Sequence, residues 1–244
     1  MIRTILVVLV LVGFFIITLP FLLIGYIIGA FNRDKQRRYA LAVIRIALQL
    51  VKLFSGLKLE VKGLERVPTA EAVLYIGNHR SYFDIVINYL TIHAPAGFVA
   101  KKSLVAIPIF GLWMKMLGCI GLDRHDIKQG LEVIKKAASY INEGTSIVIF
   151  PEGTRNNADW ETQAFKGGSF KIATKAGCRI VPVAISHADE IFEQHVPFIK
   201  SRHCIIEFGE PIDVTALSRS EIKELHVTVH EQIDRMRAVN EGRA

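Results

Sequence analysis

Cysteine is scarce in this chain, and the three residues present, Cys119, Cys178 and Cys204, lie far apart. That excludes a CxxC or zinc-finger spacing, and an odd, dispersed set is a poor disulfide framework. Buried structural thiols in a reducing compartment are the expectation. Internal repeats and low-complexity segments are also missing, so 244 residues read as one globular domain with extra elements. No RNP-like aromatic motif is present, which removes nucleic acid as a partner although the net charge is +7 and the pI about 9.4. A basic balance of this kind then points to an anionic membrane surface or an acidic substrate or carrier. With 51% hydrophobic and 22% charged residues, the chain is neither disordered nor a pure membrane bundle.

Charge is absent altogether from Thr4 to Phe31. As one helix this run would be about 42 Å long, against a hydrocarbon core of about 30 Å. A cleaved signal peptide has a shorter apolar region and a small-residue cleavage site, whereas this run leads into Asn32-Arg33-Asp34-Lys35-Gln36-Arg37-Arg38. A retained anchor is expected, kinked at Pro20, with spanning and re-entrant geometries both open. Arg33, Lys35, Arg37 and Arg38 outweigh Arg3, so the positive-inside rule places the remainder on the cytoplasmic face of the cell (inner) membrane. From Tyr39 to Phe54, the polar residues Arg45, Gln49 and Lys52 form one stripe on an otherwise apolar helix. It reads either as an interfacial helix with the stripe toward headgroups or as a helix docked on the following domain. Residues 1–55 are thus expected to be membrane-anchoring helices and 56–244 an α/β domain.

Beyond Gly56, β-rich runs alternate with helical ones. Strands are expected over Ala72–Gly77, Gly97–Ala100, Cys119–Leu122, Ser146–Phe150, Arg179–Ile185 and Cys204–Phe208. Helices are expected over Asp126–Glu143, Gly168–Ala176 and Ser218–Asn240, the last begun by Ser218 or Ser220. The alternation predicts an α/β fold with a mostly parallel sheet flanked by helices, binding ligands beyond the strands' C-terminal ends.

Two turns there carry chemistry-bearing side chains. His79 and Asp84 lie in Asn78-His79-Arg80-Ser81-Tyr82-Phe83-Asp84, directly after a strand. Histidine titrates nearest neutrality and suits a general base, provided a carboxylate fixes its tautomer. Within a continuous helix the two side chains would lie about 140° apart, so they meet only if His79 precedes the helix. The other reading is a turn histidine beside a capping box, Ser81 as N-cap and Asp84 three residues on. The second turn is Phe150-Pro151-Glu152-Gly153-Thr154-Arg155. Gly153 permits close backbone approach to an anion, Thr154 offers a hydroxyl, and Arg155 can grip a phosphate with two hydrogen bonds. Glu152 would bind a substrate hydroxyl or orient Arg155. The same residues also make a plain type I or II turn. Arg124, closing Gly118-Cys119-Ile120-Gly121-Leu122-Asp123-Arg124, would converge with Arg155 if their strands run the same way, and Lys101 and Lys102 end a third strand. For each of these residues a solvated charge at a strand end is the other reading, and for the lysines it is the preferred one. Phe165-Lys166-Gly167-Gly168-Ser169 precedes a helix and is either an anion site or a turn.

Together these blocks resemble the lysophosphatidic acid acyltransferases of the glycerolipid acyltransferase superfamily. Leu74 to Ile185 carries the likeness, and Phe208-Gly209-Glu210-Pro211-Ile212 extends it. Asn78–Asp84, Gly118–Arg124, Phe150–Arg155 and Val181–Ile185 fit four successive blocks, though Gly121 stands where a phenylalanine is frequent. The resemblance implies an acyltransferase domain over 56–244 that acylates the sn-2 hydroxyl of 1-acylglycerol-3-phosphate to give phosphatidic acid. His79 would be the general base and Asp84 its orienting group. Arg124, Glu152, Gly153, Thr154, Arg155 and Lys101 would bind the acceptor. Acyl-CoA or acyl-ACP (acyl carrier protein) would be the co-substrate, with no cofactor or metal, and the partners would be lysophosphatidic acid and membrane lipid. Glycerol-3-phosphate, another lysophospholipid or a lyso-ornithine lipid are alternative acceptors, and a non-catalytic lipid-binding protein is the reading from another class.

Overall fold

The computed structural model of the chain describes residues 1–123, 126–155 and 163–243. Short Val- and Ile-rich runs between turn residues become the strands of one sheet. They are β1 (Lys58–Lys62), β2 (Leu74–Gly77), β3 (Ala96–Lys101), β4 (Ile120–Leu122), β5 (Ser146–Ile149), β6 (Arg179–Ser186), β7 (His203–Phe208) and β8 (Ile212–Asp213). The order is β1-β7-β6-β2-β5-β3-β4, with β8 also beside β6. From β6 through β2, β5 and β3 to β4 every pairing is parallel, while β7 and β8 run antiparallel to β6. Consequently the C-terminal ends of β6, β2 and β5, three adjacent strands, open on the same edge. Side-chain alternation divides the strands between two cores. Tyr75, Val148, Val181 and Val183 pack on one face, and Leu74, Ile76, Ile147 and Ile180 on the other.

The first face is covered by α3 (Arg33–Ser55), α4 (Phe83–Thr91) and α6 (Phe110–Met116), through Leu41, Ile87 and Trp113. The second is covered by α7 (Ile127–Asn142), α8 (Lys171–Ala176) and α9 (Arg219–Asn240), through Ala137, Ile172 and Val229. A short α5 (Lys102–Val105) links β3 to α6. The expected mostly parallel α/β fold is present. Strands β1 and β8 and helices α5 and α6 were not foreseen. Lys58-Leu59-Glu60-Val61-Lys62 alternates charges with apolar residues because it is an edge strand, and a charged edge blocks further pairing.

The uncharged N-terminal run forms two helices, α1 (Ile2–Ile17) and α2 (Leu19–Phe31), bent by 55°. The bend falls at Thr18, whose hydroxyl donates to the Phe14 carbonyl at 2.6 Å. Pro20 sits in the first turn of α2, where its missing N–H costs nothing, so the expected proline break takes the form of a helix that ends and restarts just ahead of it. At about 24 Å, α1 is shorter than a hydrocarbon core of about 30 Å. No single helix among the described residues is long and apolar enough to cross a membrane. Both ends of α1 instead touch the α/β domain. Thr4 Oγ1 accepts from the Ile199 amide at 2.9 Å, and Phe14 lies against Trp113 with ring centroids 5.4 Å apart.

Helix α3 supports this pair and is itself docked. Gln36 Nε2 donates to the Gly25 carbonyl at 3.0 Å, and Arg37 lies over Tyr140 and pairs with Glu143 at 3.4 Å. Arg45 is turned toward the α/β domain. Its guanidinium donates to the carbonyls of Tyr89 and Ile92, two acceptors at the C-terminal end of α4. Of the two readings of the polar stripe, docking on the domain describes Arg45. Beyond its basic first turns, α3 leaves apolar side chains outside, with Ile46 67% and Leu53 68% exposed beside an exposed Gln49.

Candidate active site

Strand β2 ends at Gly77 and the chain makes a tight turn before α4 begins at Phe83, which places His79 before the helix. Asn78 anchors this turn. Fully buried, it donates from its amide to the Ile185 carbonyl at 2.9 Å and accepts from the Ile185 N–H at 2.8 Å, stitching the end of β2 to β6. His79 Nδ1 and Asp84 Oδ2 are 2.8 Å apart. The same oxygen accepts from the Arg80 and Ser81 amides, each at 2.8 Å. Ser81 Oγ in turn accepts from the Phe83 amide at 2.9 Å. The carboxylate that ties the turn ahead of α4 also fixes the imidazole. The N-cap of α4 is Tyr82, without a side-chain cap bond, and Ser81 Oγ is reached by the Phe83 amide rather than that of Asp84. The capping box expected at Ser81 is therefore incomplete. With Nδ1–H donating to Asp84, Nε2 is the acceptor nitrogen. Phe150 stacks on the His79 ring at 4.3 Å with 8° between planes, which sets the tilt.

The Phe150–Arg155 turn follows β5, the parallel neighbour of β2. Gly153 closes it by donating to the Phe150 carbonyl at 3.1 Å, with a φ of 81° that favours glycine. Glu152 lies beneath the site and Oε1 accepts from the His79 amide at 2.7 Å. Burial pushes its carboxyl up to about 7, against the opposing pull of that amide and the Gln163 amide. Thr154 is exposed, its hydroxyl 3.4 Å from Gln163 Oε1. Arg155 lies over the Tyr82 ring at 3.7 Å and donates to the Tyr82 hydroxyl at 3.0 Å and to Glu193 at 3.3 Å. The group that orients Arg155 is therefore Glu193, not Glu152.

His79, Asp84, Glu152, Gly153 and Arg155 are brought together at one sheet edge. Lys101 ends β3, one strand beyond β5, where it is exposed. That puts it two strand spacings from β2, about 10 Å across the sheet. Arg124 lies outside the described residues; β4, which precedes it, is parallel to β5 but separated from it by β3. Gly121 faces α5, and a Cβ there would meet Lys102 Cα at 3.3 Å, so this backbone has little room for the phenylalanine frequent at that block. The Phe165–Ser169 segment is a turn leading into a 3-10 helix over Gly167–Phe170, tied to Pro151 by the Lys166 amide at 3.3 Å.

Sequence reasoning missed Phe150, Tyr82, Asp189 and Glu193. Arg80 pairs with Asp189 at 3.0 Å, and Glu193 also accepts from Ser81 Oγ at 2.6 Å and the Tyr82 amide at 2.8 Å. One signal was available. Asp189 and Glu193 follow β6, and loops after adjacent parallel strands meet at the same edge.

Comparison with known proteins bears on the family and the fold. A sequence model of the acyltransferase family matches residues 58–186. A 1-acyl-sn-glycerol-3-phosphate acyltransferase of Borreliella burgdorferi is 33% identical over 196 residues, covering 80% of this chain and 78% of that protein. One of the same name from Haemophilus influenzae is 32% identical over 209 residues, 85% of each chain. The crystal structure of the 1-acyl-sn-glycerophosphate acyltransferase PlsC of Thermotoga maritima superposes with a TM-score of 0.76 at 25% identity. That superposition covers 99% of this chain and 98% of that one.

Proposed function

The chain belongs to the acyltransferase family, among the 1-acyl-sn-glycerol-3-phosphate acyltransferases, and on that premise we propose how this site works and on what. His79 Nε2 takes the proton of the sn-2 hydroxyl of 1-acylglycerol-3-phosphate as the oxygen attacks the carbonyl of an acyl thioester on coenzyme A or acyl carrier protein. The tetrahedral adduct collapses, the carbon–sulfur bond breaks, and the imidazolium returns its proton to the leaving thiolate. Phosphatidic acid and the free thiol result. The thioester is already activated, so a positioned base, a phosphate clamp and donors for the developing oxyanion suffice without a covalent enzyme intermediate.

The observation that carries this reading is the 2.8 Å contact between His79 Nδ1 and Asp84, made ahead of α4. It leaves Nε2 as the basic nitrogen, and Arg155 stands at the same sheet edge to receive the phosphate. Arg124, Thr154 and Lys101 are further acceptor ligands on this reading. Membrane lipid is the second part of the proposal. Helix α1 is tethered to the domain at both ends, so the α1–α2 elbow and the outer face of α3 rest in the cytoplasmic leaflet without crossing it. What supports this is the apolar surface that Leu9, Val12, Ile16 and Leu23 turn outward.

An acyl-transfer assay pairing acyl-CoA and acyl carrier protein donors with lysophosphatidic acid and phosphate-free acceptors tests the reaction. His79→Ala is expected to abolish transfer while membrane association is kept. Unchanged turnover by that variant, or equal rates on acceptors lacking the phosphate, overturns the assignment.

A further inference from the structure

Glu193 lies beyond the residues 58–186 matched by the family model, in the loop after β6, yet it contacts both turns that carry the chemistry. One carboxylate oxygen accepts from Ser81 Oγ at 2.6 Å. The other accepts from the Tyr82 amide at 2.8 Å and from Arg155 Nη1 at 3.3 Å. Its side chain is 10% exposed, against 30% for Arg155. We propose that Glu193 is a positioning residue that sets Arg155 against the catalytic turn, and thereby fixes where the acceptor's phosphate sits relative to His79. The inference rests on the reading of Arg155 as the phosphate ligand.

Two roles compete for a carboxylate beside a phosphate-binding arginine. As a rival anion, it would occupy the guanidinium until phosphate displaced it. As a fixed brace, it would stay in place while phosphate took the remaining donors. The geometry points to the brace. Ser81 Oγ and the Tyr82 amide hold Glu193 independently of Arg155, so it has partners to keep when phosphate arrives. Arg155 carries five N–H donors, and its Glu193 and Tyr82 contacts use one from each terminal nitrogen. Tyr82 completes the brace, its ring under the guanidinium at 3.7 Å and its hydroxyl 3.0 Å from Nη2. A long, rotamer-rich side chain is thus confined to one plane before substrate binds, which is how preorganisation strengthens binding.

Glu193→Gln keeps the size and can still satisfy Ser81 and Tyr82, but loses the charged acceptor for Arg155. The test measures steady-state kinetics with lysophosphatidic acid for wild type, Glu193→Gln, Arg155→Ala and the double variant, with thermal unfolding of each in the same micelles. A brace predicts that Glu193→Gln raises KM for the acceptor about tenfold, with a smaller change in kcat. It also predicts that Glu193→Gln adds no further rise once Arg155 is alanine. A lowered KM, as a rival anion would give, overturns the proposal. So does an unchanged KM, or a rise that multiplies independently with that of Arg155→Ala. If Arg155→Ala itself leaves KM unaltered, the phosphate assignment fails and takes the brace with it. If Arg155→Ala raises KM and Glu193→Gln does not, only the brace fails.

Discussion

One oxygen of Asp84 accepts from a side chain and two backbone amides, and Glu152 adds a fourth tie by holding the amide of His79. Of these groups Glu152 has the more telling titration. Its carboxyl, raised by burial to about 7 from an ordinary 4.5, holds its proton more tightly in the folded chain than in the unfolded one. Below about pH 4.5 both states are protonated and nothing is lost. Between about 4.5 and 7 the unfolded state ionises first, so the folded state loses relative stability, on the order of 3 kcal/mol in full, and the effect levels off above 7. Glu152→Gln can still accept from the His79 amide and does not ionise. Its stability relative to wild type is expected to climb across that window, as denaturant titrations from pH 4 to 8 would register; a difference independent of pH would falsify the account. At this scale the sequence was legible where partners are close along the chain. His79 and Asp84 lie five residues apart, and a strand–turn–helix context makes their meeting physically readable. Glu193 binds Ser81 and Tyr82 across 112 and 111 residues, and no local spacing records that.

Helices announce themselves through their ends, and most ends here were readable. Ser218 forms a full capping box with Glu221 at the start of α9, and Gly177 closes α8 in the left-handed conformation. The break in the uncharged run was readable from Pro20, but not that it falls at Thr18 with two separate helices meeting there. Strand β1 was hidden by its own edge charges, and β8 by its length of two residues. The least legible contact between elements is Arg45, which serves as a C-terminal cap for a helix 44 residues further along. Arg45→Met keeps the packing stem and removes the donors, leaving the Tyr89 and Ile92 carbonyls without that partner. A loss of about 1–3 kcal/mol is expected. At about 2–4 °C per kcal/mol for a chain of this size, the melting temperature in micelles should fall accordingly. An unchanged melting temperature would mean that water serves those carbonyls as well as the guanidinium does.

For the molecule as a whole, the parallel sheet and its binding edge were legible from alternation of elements, but the strand order was not, since it depends on long-range pairing. Nor was it legible, within residues 1–55, that α1 packs on the α/β domain near Ile199 and Trp113, although docking of α3 was one of the two readings of its polar stripe. The apolar surface they leave outside gives the membrane proposal its own test. Ile46→Gln with Leu53→Gln changes two exposed positions of α3 that touch neither His79 nor Arg155. Each apolar side chain is worth about 1.5–3 kcal/mol when fully taken from water, so vesicle partitioning should fall by at least about tenfold. Turnover on micellar substrate should be kept; sedimentation with anionic vesicles that matches wild type would sink the idea. The bond between Thr4 and the Ile199 amide spans 195 residues. At synthesis rates of about 5–20 residues per second, α1 waits roughly 10–40 seconds for that last docking partner. During this interval α1 has α3 to pack on but not yet the domain, and the apolar face it keeps outward in the folded chain needs shelter from outside the protein from the start.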